Sequence, residues 1–282
     1  MSVVVAMSLS GCSEAVRTSY PPAPSTPPTA TVGEEVDRPC GVFDDFDGPA
    51  NTPPSSQHWI YDLGRPGAAN HELQTYTNSL DNVRLDGQGH LIIQARKTPT
   101  GYTSGRVATR GKVDTLYGTT SARIKFPSEQ GIWTAFWMLG SNIETVWWPQ
   151  CGEIAIMELV SSGTTFHATL HGPQGNSDYR QGNGVGTRGS IPDLTRDFHT
   201  YWVDRQRNSI IVGVDAKTLA EFTPASLPSG ARWVFNQPMY ATLNVAVGGD
   251  WPGPPDQSTP FPSTMLVDWF RFTPSAMPTG HR

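Results

Sequence analysis

The run Cys151-Gly-Glu153-Ile-Ala155-Ile-Met-Glu158-Leu-Val160 is apolar and β-branched, yet two carboxylates interrupt it. Such a run reads as a buried strand, and charge inside one is costly unless it is paired or put to use. Strict alternation sets residues 153 and 155 on one face and residue 158, an odd offset away, on the other. One extra residue, a bulge near Ile156-Met157, returns Glu158 to the face of Glu153. Ile154, Ile156 and Leu159 then point into a core, while both glutamates face a cleft with Ala155 between them. The chain is therefore expected to build a sheet with one packed face and one open face.

With the bulge the two Cα atoms lie about 13 Å apart at ~3.3 Å per step. Side chains leaning together close the carboxyl gap to the ~5 Å used by glycosidases that retain configuration. A carboxylate pair can also hold a metal, but no cluster of His or Asp lies around residues 150–160, so no catalytic metal is expected. Ser-His-Asp chemistry has no support, because Gly-x-Ser-x-Gly is absent. The bland alternative, a chance pair of glutamates in a strand, is opposed by the cost of burying them.

The rest of the chain reads as β structure. Its 28 glycines and 25 prolines punctuate 282 residues, and no long stretch shows a 3.6-residue apolar period. Short β-type runs recur between turn signals: Gly89–Ala95, Ser121–Phe126, Ser209–Val214 and Met265–Phe272. That spacing suggests an antiparallel sandwich. A net charge of −5 with no basic run argues against a nucleic-acid partner. Nine tryptophans exceed what a core needs and suit a surface that stacks sugar rings.

Before the sandwich, residues 1–12 are apolar and end in Leu9-Ser-Gly-Cys12, which resembles a bacterial lipobox whose cysteine is lipidated after cleavage. The segment is too short to span a bilayer. Residues 13–40 are rich in Pro, Ser and Thr and read as an extended tether. The folded domain is expected over residues 41–274, with a frayed tail at 275–282. The protein is thus expected to be exported, either held to the cell envelope through Cys12 or extracellular, with membrane contact only through that anchor. If Cys12 carries lipid, Cys40 and Cys151 could pair in an oxidising compartment, or Cys151 is a small buried residue beside the strand.

Upstream of the glutamates, Trp133 and Trp137 in Gly131–Gly140 share a strand face and could form the sides of a sugar-stacking trough. Trp147 and Trp148 precede the carboxylate strand and extend the trough at a rim; alternation does not decide which of them faces substrate. Asn70-His-Glu72-Leu-Gln74 supplies polar groups. Arg106 either bonds sugar hydroxyls, holds a carboxylate ionised, or is a surface arginine. His171 either ends beside the cleft or is structural.

The blocks Asn70…Glu72…Gln74-x-Tyr76-Thr77, Tyr102-Thr-Ser-Gly-Arg106, Trp133-x-Ala-Phe-Trp137-Met-Leu-Gly140, Trp148-Pro-x-Cys-Gly-Glu-Ile-x-Ile-Met-Glu158, Leu243-Asn-x-Ala-Val-Gly-Gly249 and Val267-Asp-x-x-Arg271 occur in order. Together they resemble glycoside hydrolase family 16, and within it bacterial laminarinase-like endo-β-1,3-glucanases. The resemblance implies an all-β, concanavalin-like jelly-roll sandwich of two antiparallel sheets with a concave cleft, and a monomer acting on a β-glucan. It assigns Glu153 as nucleophile and Glu158 as acid/base. It makes Trp133, Trp137, Asn70 and Arg106 substrate-binding, with Trp148 and His171 as further candidates. No cofactor is implied for the chemistry; a structural calcium is implied on the convex side, held partly by Asp268.

This chain departs from the family pattern at Ala155, where the family has an aspartate that helps set the protonation of both glutamates. A second, milder departure is Thr134 in place of proline. Two function classes follow: a secreted endo-β-1,3-glucanase slowed by Ala155, and a cell-surface glucan-binding protein that kept the cleft and lost most turnover. Remodelling of the organism's own envelope polysaccharide is a third reading. If the missing aspartate limits the rate, Ala155→Asp raises laminarin hydrolysis by at least about an order of magnitude. An unchanged rate in a folded variant would sink that idea.

Overall fold

The computed structural model describes residues 41–64, 70–161, 165–175 and 182–275. Cys12, Cys40, the apolar N-terminal segment, the tether and nearly all of the tail lie outside these residues. Among the described residues no helix is long and apolar enough to cross a membrane.

Seventeen strands carry the described fold. The first seven are β1 (Val42–Asp44), β2 (Ile60–Tyr61), β3 (Gln74–Tyr76), β4 (Val83–Leu85), β5 (Leu91–Thr98), β6 (Gly101–Ser104) and β7 (Arg106–Ala108). The middle of the chain forms β8 (Gly118–Lys125), β9 (Ile132–Gly140), β10 (Glu153–Val160), β11 (Thr165–Pro173) and β12 (Gly182–Ser190). The remainder forms β13 (His199–Gln206), β14 (Ser209–Val214), β15 (Lys217–Phe222), β16 (Met239–Val247) and β17 (Ser263–Pro274). One α-helical turn, Ile143–Val146, and a 3₁₀ turn, Pro224–Ser226, are the helical segments among them.

The strands form two sheets. A ten-stranded sheet runs β15-β14-β13-β8-β17-β5-β6-β3, with β1 added to β17 and β4 to β5. A seven-stranded sheet runs β12-β11-β10-β9-β16-β7-β2. The pairing is antiparallel, as expected, with one exception: β3 runs parallel to β6. The jelly-roll sandwich read from the sequence is the observed architecture.

The core forms where the apolar positions of the two sheets meet. Ile93, Ile124, Val203, Val212, Val267 and Phe270 from the larger sheet join Phe136, Met138, Ile154, Leu170, Leu243 and Val245 from the smaller in one buried cluster. Removing a fully buried ring such as Phe136 would cost about 3–5 kcal/mol.

The bulge lies where alternation demands it. Along β9 the register steps from Ala155↔Trp137 to Met157↔Phe136, leaving Ile156 without a partner. Along β11 it steps from Ala155↔Thr169 to Glu158↔His167. Ile154, Ile156, Met157 and Leu159 are all buried in the core. The extra residue thus adds an apolar side chain to the core and turns Glu158 to the open face.

The entry to β10 is equally constrained. Gly152 adopts φ +72°, and a Cβ there would meet Val234 Cγ2 at 2.9 Å. A Cβ on Gly140 would lie 2.0 Å from the Cys151 carbonyl oxygen, so only glycine lets β9 end against this turn. Cys151 is buried with a free thiol among the described residues, and Cys40 of the expected pairing lies outside them.

Thr134 faces the core rather than the cleft, between Leu159 and Val245. Its hydroxyl is buried without a hydrogen-bond partner, which costs about 1–3 kcal/mol. Thr134→Val is therefore expected to raise the thermal midpoint by roughly 2–4 °C and to leave glucan affinity unchanged. Calorimetry beside a binding isotherm checks both.

Candidate active site

Cross-strand register places the candidate residues on one open face of the seven-stranded sheet. Three rows cross it at right angles to the strands. Glu153 aligns with His171 on β11 and with Leu139 and Tyr240 on β9 and β16. Ala155 aligns with Thr169, Trp137, Thr242 and Ala108. Glu158 aligns with His167, Ala135, Asn244 and Arg106. Trp133 lies one row beyond, opposite Val160 and Ala246.

The cleft has two halves that share Asn70, Trp133, Glu153 and Glu158. The narrower, about 140 Å³, adds Glu72, Arg106, Trp137 and Asn244 among its walls. The wider, about 680 Å³, adds Trp148, His167, Thr169, His171, Gly184 and Trp251. A chain lying across the strands would thus pass over both carboxyl groups with walls on either side.

Their partners separate the two buried carboxyl groups. Glu158 is 7% exposed and accepts a 3.1 Å hydrogen bond from Trp133 Nε1. Desolvation, aided by the charge of Glu153, pushes its pKa up to about 8 against the lowering effect of that bond. Burial also raises Glu153, but His171, the Trp148 indole and Arg106 all oppose the rise. His171 Nε2 lies 4.0 Å from Glu153 Oε1. Glu158 thus stays protonated near neutral pH, while three partners hold back the rise of its neighbour, a division that suits an acid and a nucleophile.

The polar groups of the narrower half hold one another. Trp137 Nε1 donates to Asn244 Oδ1 at 2.7 Å, and Asn244 Nδ2 donates to the Tyr76 hydroxyl at 3.2 Å. The Arg106 guanidinium lies 4.2 Å over the Tyr76 ring and 3.2 Å from Asp62 Oδ2. Its Nε is buried and unpartnered. Arg106 is therefore a cleft residue and not a surface arginine. Glu72 accepts from Asn70 Nδ2 at 3.2 Å and from Gln74 Nε2 at 2.7 Å. Gln74 Oε1 accepts from the Val247 N–H at 2.8 Å, which ties this loop to β16.

All eight cleft residues read from the sequence come together: Glu153, Glu158, Trp133, Trp137, Asn70, Arg106, Trp148 and His171. Trp148 faces the wider half, whereas Trp147 is 60% exposed and lines neither half. Among the wall residues missed, His167, Asn244 and Trp251 have side chains that bear on binding. His167 sits four residues before His171 on the same strand face, so alternation could have found it. Asn244 lies inside a quoted block but carries no charge to draw attention. Trp251 comes from a Gly/Pro-rich loop and packs edge-on against Trp133 at 5.1 Å and His167 at 4.8 Å; only the fold brings it there.

Asp268 does not join the cleft. Its carboxylate lies 2.6 Å from Arg123 Nη1 on the larger sheet. A calcium ion at that carboxylate would face a guanidinium, and among the described residues no three His, Cys, Asp or Glu side chains cluster as metal ligands. The Asp268 side chain pairs with Arg123.

Residues 70–271 match the profile of the glycosyl hydrolases family 16. The chain belongs to this family. It is 36% identical over 232 residues to a β-glucanase of Rhodothermus marinus, covering 77% of this chain and 79% of that one. The laminarinase catalytic domain of Thermotoga maritima superposes with a TM-score of 0.74 at 36% identity, covering 84% of this chain and 98% of that domain. A β-1,3-glucan-binding protein of Penaeus monodon is 28% identical over 174 residues, covering 52% of this chain and 47% of that one. The family-16 chain is therefore a glycoside hydrolase by descent.

The raised pKa of Glu158 has a consequence for stability. A carboxyl whose pKa rises on folding binds more protons folded than unfolded between about 4.5 and about 8, so its stabilising contribution is full below that window and is lost as pH rises through it. Glu158→Gln removes the ionisation. The variant should match the wild-type melting temperature near pH 4.5 and exceed it by at least a few degrees at pH 8. Parallel melting curves across pH would refute this if they tracked together.

Proposed function

We propose that this chain is a retaining endo-β-1,3-glucanase in which Glu153 is the nucleophile and Glu158 the acid/base. The observation that carries this reading is the bulge that sets both carboxyl groups in one open cleft, where burial pushes Glu158 up to about 8 while partners oppose the rise of Glu153. Glu153 attacks the anomeric carbon while Glu158 gives its proton to the leaving oxygen, and the glycosyl–enzyme ester forms as the glycosidic bond breaks. Glu158, now a carboxylate, takes a proton from water, and the resulting hydroxyl displaces Glu153. Both attacks occur at the same carbon from opposite sides, so configuration is retained.

The cleft walls support an endo mode of action, since both halves continue past the shared carboxylates. Trp133 and Trp137 offer ring faces to sugars, while Asn70, Arg106 and Trp148 supply donors. Glucan linkage comes to this chain from its laminarinase and β-glucanase relatives. The apolar segment ending at Cys12 and the tether after it support an exported protein, held to the envelope through Cys12 or released from it.

Ala155 favours a second reading. With no carboxylate between the glutamates, turnover falls and the cleft acts chiefly to bind glucan, the property named for the Penaeus monodon relative. Reducing-sugar release by residues 41–282 from a panel of laminarin, mixed-linkage glucan and galactan separates the two readings, with hydrolysis of laminarin expected. Glu153→Gln should abolish that release while leaving laminarin affinity within about twofold; a variant that still turned over substrate would show the nucleophile to be misassigned.

A further inference from the structure

Ala155 leaves Glu153 without a carboxylate neighbour in the next row, and the register shows what stands across the strand instead. Glu153 pairs directly with His171 on β11. Ala155 pairs with Thr169, a hydroxyl that carries no charge. The imidazole Nε2 lies 4.0 Å from Glu153 Oε1, within ion-pair reach but longer than a hydrogen bond. Gly184 on β12 makes this placement possible, since a Cβ there would come within 3.2 Å of the His171 ring.

We propose that His171 is the positioning residue that holds Glu153 in its ionised form. This rests on Glu153 being the nucleophile. An imidazole is suited to the task because its charge changes between about pH 5 and 8.

The other groups facing this pair do not substitute for His171. Arg106 reaches Glu153 only across the cleft, with Asp62 paired to it at 3.2 Å. The Trp148 indole favours the charged form of Glu153 but carries no charge itself, and its ring centroid lies 6.3 Å from that of His171. Glu158, with its pKa pushed up to about 8, carries no charge in the acid range and supplies no cation. On β12, Arg188 stands opposite His167, four residues along from the partner of His171. Leu139 and Tyr240 complete the Glu153 row without contributing a cation.

The test compares wild type with His171→Gln, which keeps a polar side chain and loses the ionisation. The acid limb of kcat/KM on laminarin should move up by about one pH unit, a tenfold loss near pH 5 that fades toward pH 7. The ¹³C carboxyl titration of Glu153, assigned by its disappearance in Glu153→Gln, should move by the same amount whether or not the variant turns over. A Glu153 titration unmoved by His171→Gln overturns the proposal. If wild type hydrolyses no polysaccharide, the glucanase reading falls, while the carboxyl titration still decides the pairing.

Discussion

One inserted residue in β10 governs the site. Without the bulge at Ile156, Glu158 would point into a core of Phe136, Met138, Leu170 and Leu243, where an unpaired carboxylate could not be tolerated. With it, four apolar side chains of the strand stay packed and both glutamates reach the cleft. The neighbouring strands accommodate the offset in their registers, and the turn before β10 requires glycine at 140 and 152. Packing and chemistry are therefore set by the same local distortion, as is common where a bulge adjoins a functional site.

The electrostatics follow from where the bulge puts the carboxyl groups. Both are largely withdrawn from water, so burial raises both. The difference between them comes from their partners. Glu158 has one indole donor and a like charge nearby, whereas Glu153 has an imidazole, an indole and a more distant guanidinium. In the family pattern an aspartate between them shares in this tuning. Here the methyl group of Ala155, 1% exposed, fills the row without any ionisable function, and the burden moves to the flanking strand.

Much of this was legible in the chain because the relevant signals are local. The alternation of 151–160 located the bulge and the direction of both glutamates, and Trp133 and Trp137 fell on a common face by simple periodicity. Residues that act through the fold were harder to find. Trp251 is separated from Trp133 by more than a hundred residues, and its loop has no period to read. The partner of Asp268, Arg123, sits on the adjacent strand β8, a pairing that no spacing along the chain reveals. The choice between Trp147 and Trp148 also needed the turn, in which Trp147 takes φ +60° and its side chain is left exposed.

The sequence by itself determined the β class, the carboxylate pair, the need for an extra residue between its members, and the absence of the central aspartate. Each of these depends on neighbours along a single strand, where the two-residue period dictates direction. Tertiary structure alone decided which strands flank β10, and therefore that His171 stands opposite Glu153 and His167 opposite Glu158. It also decided that the two carboxyl groups have unequal partners. Those are properties of registers between strands and of what covers them, and a one-dimensional pattern holds no record of either.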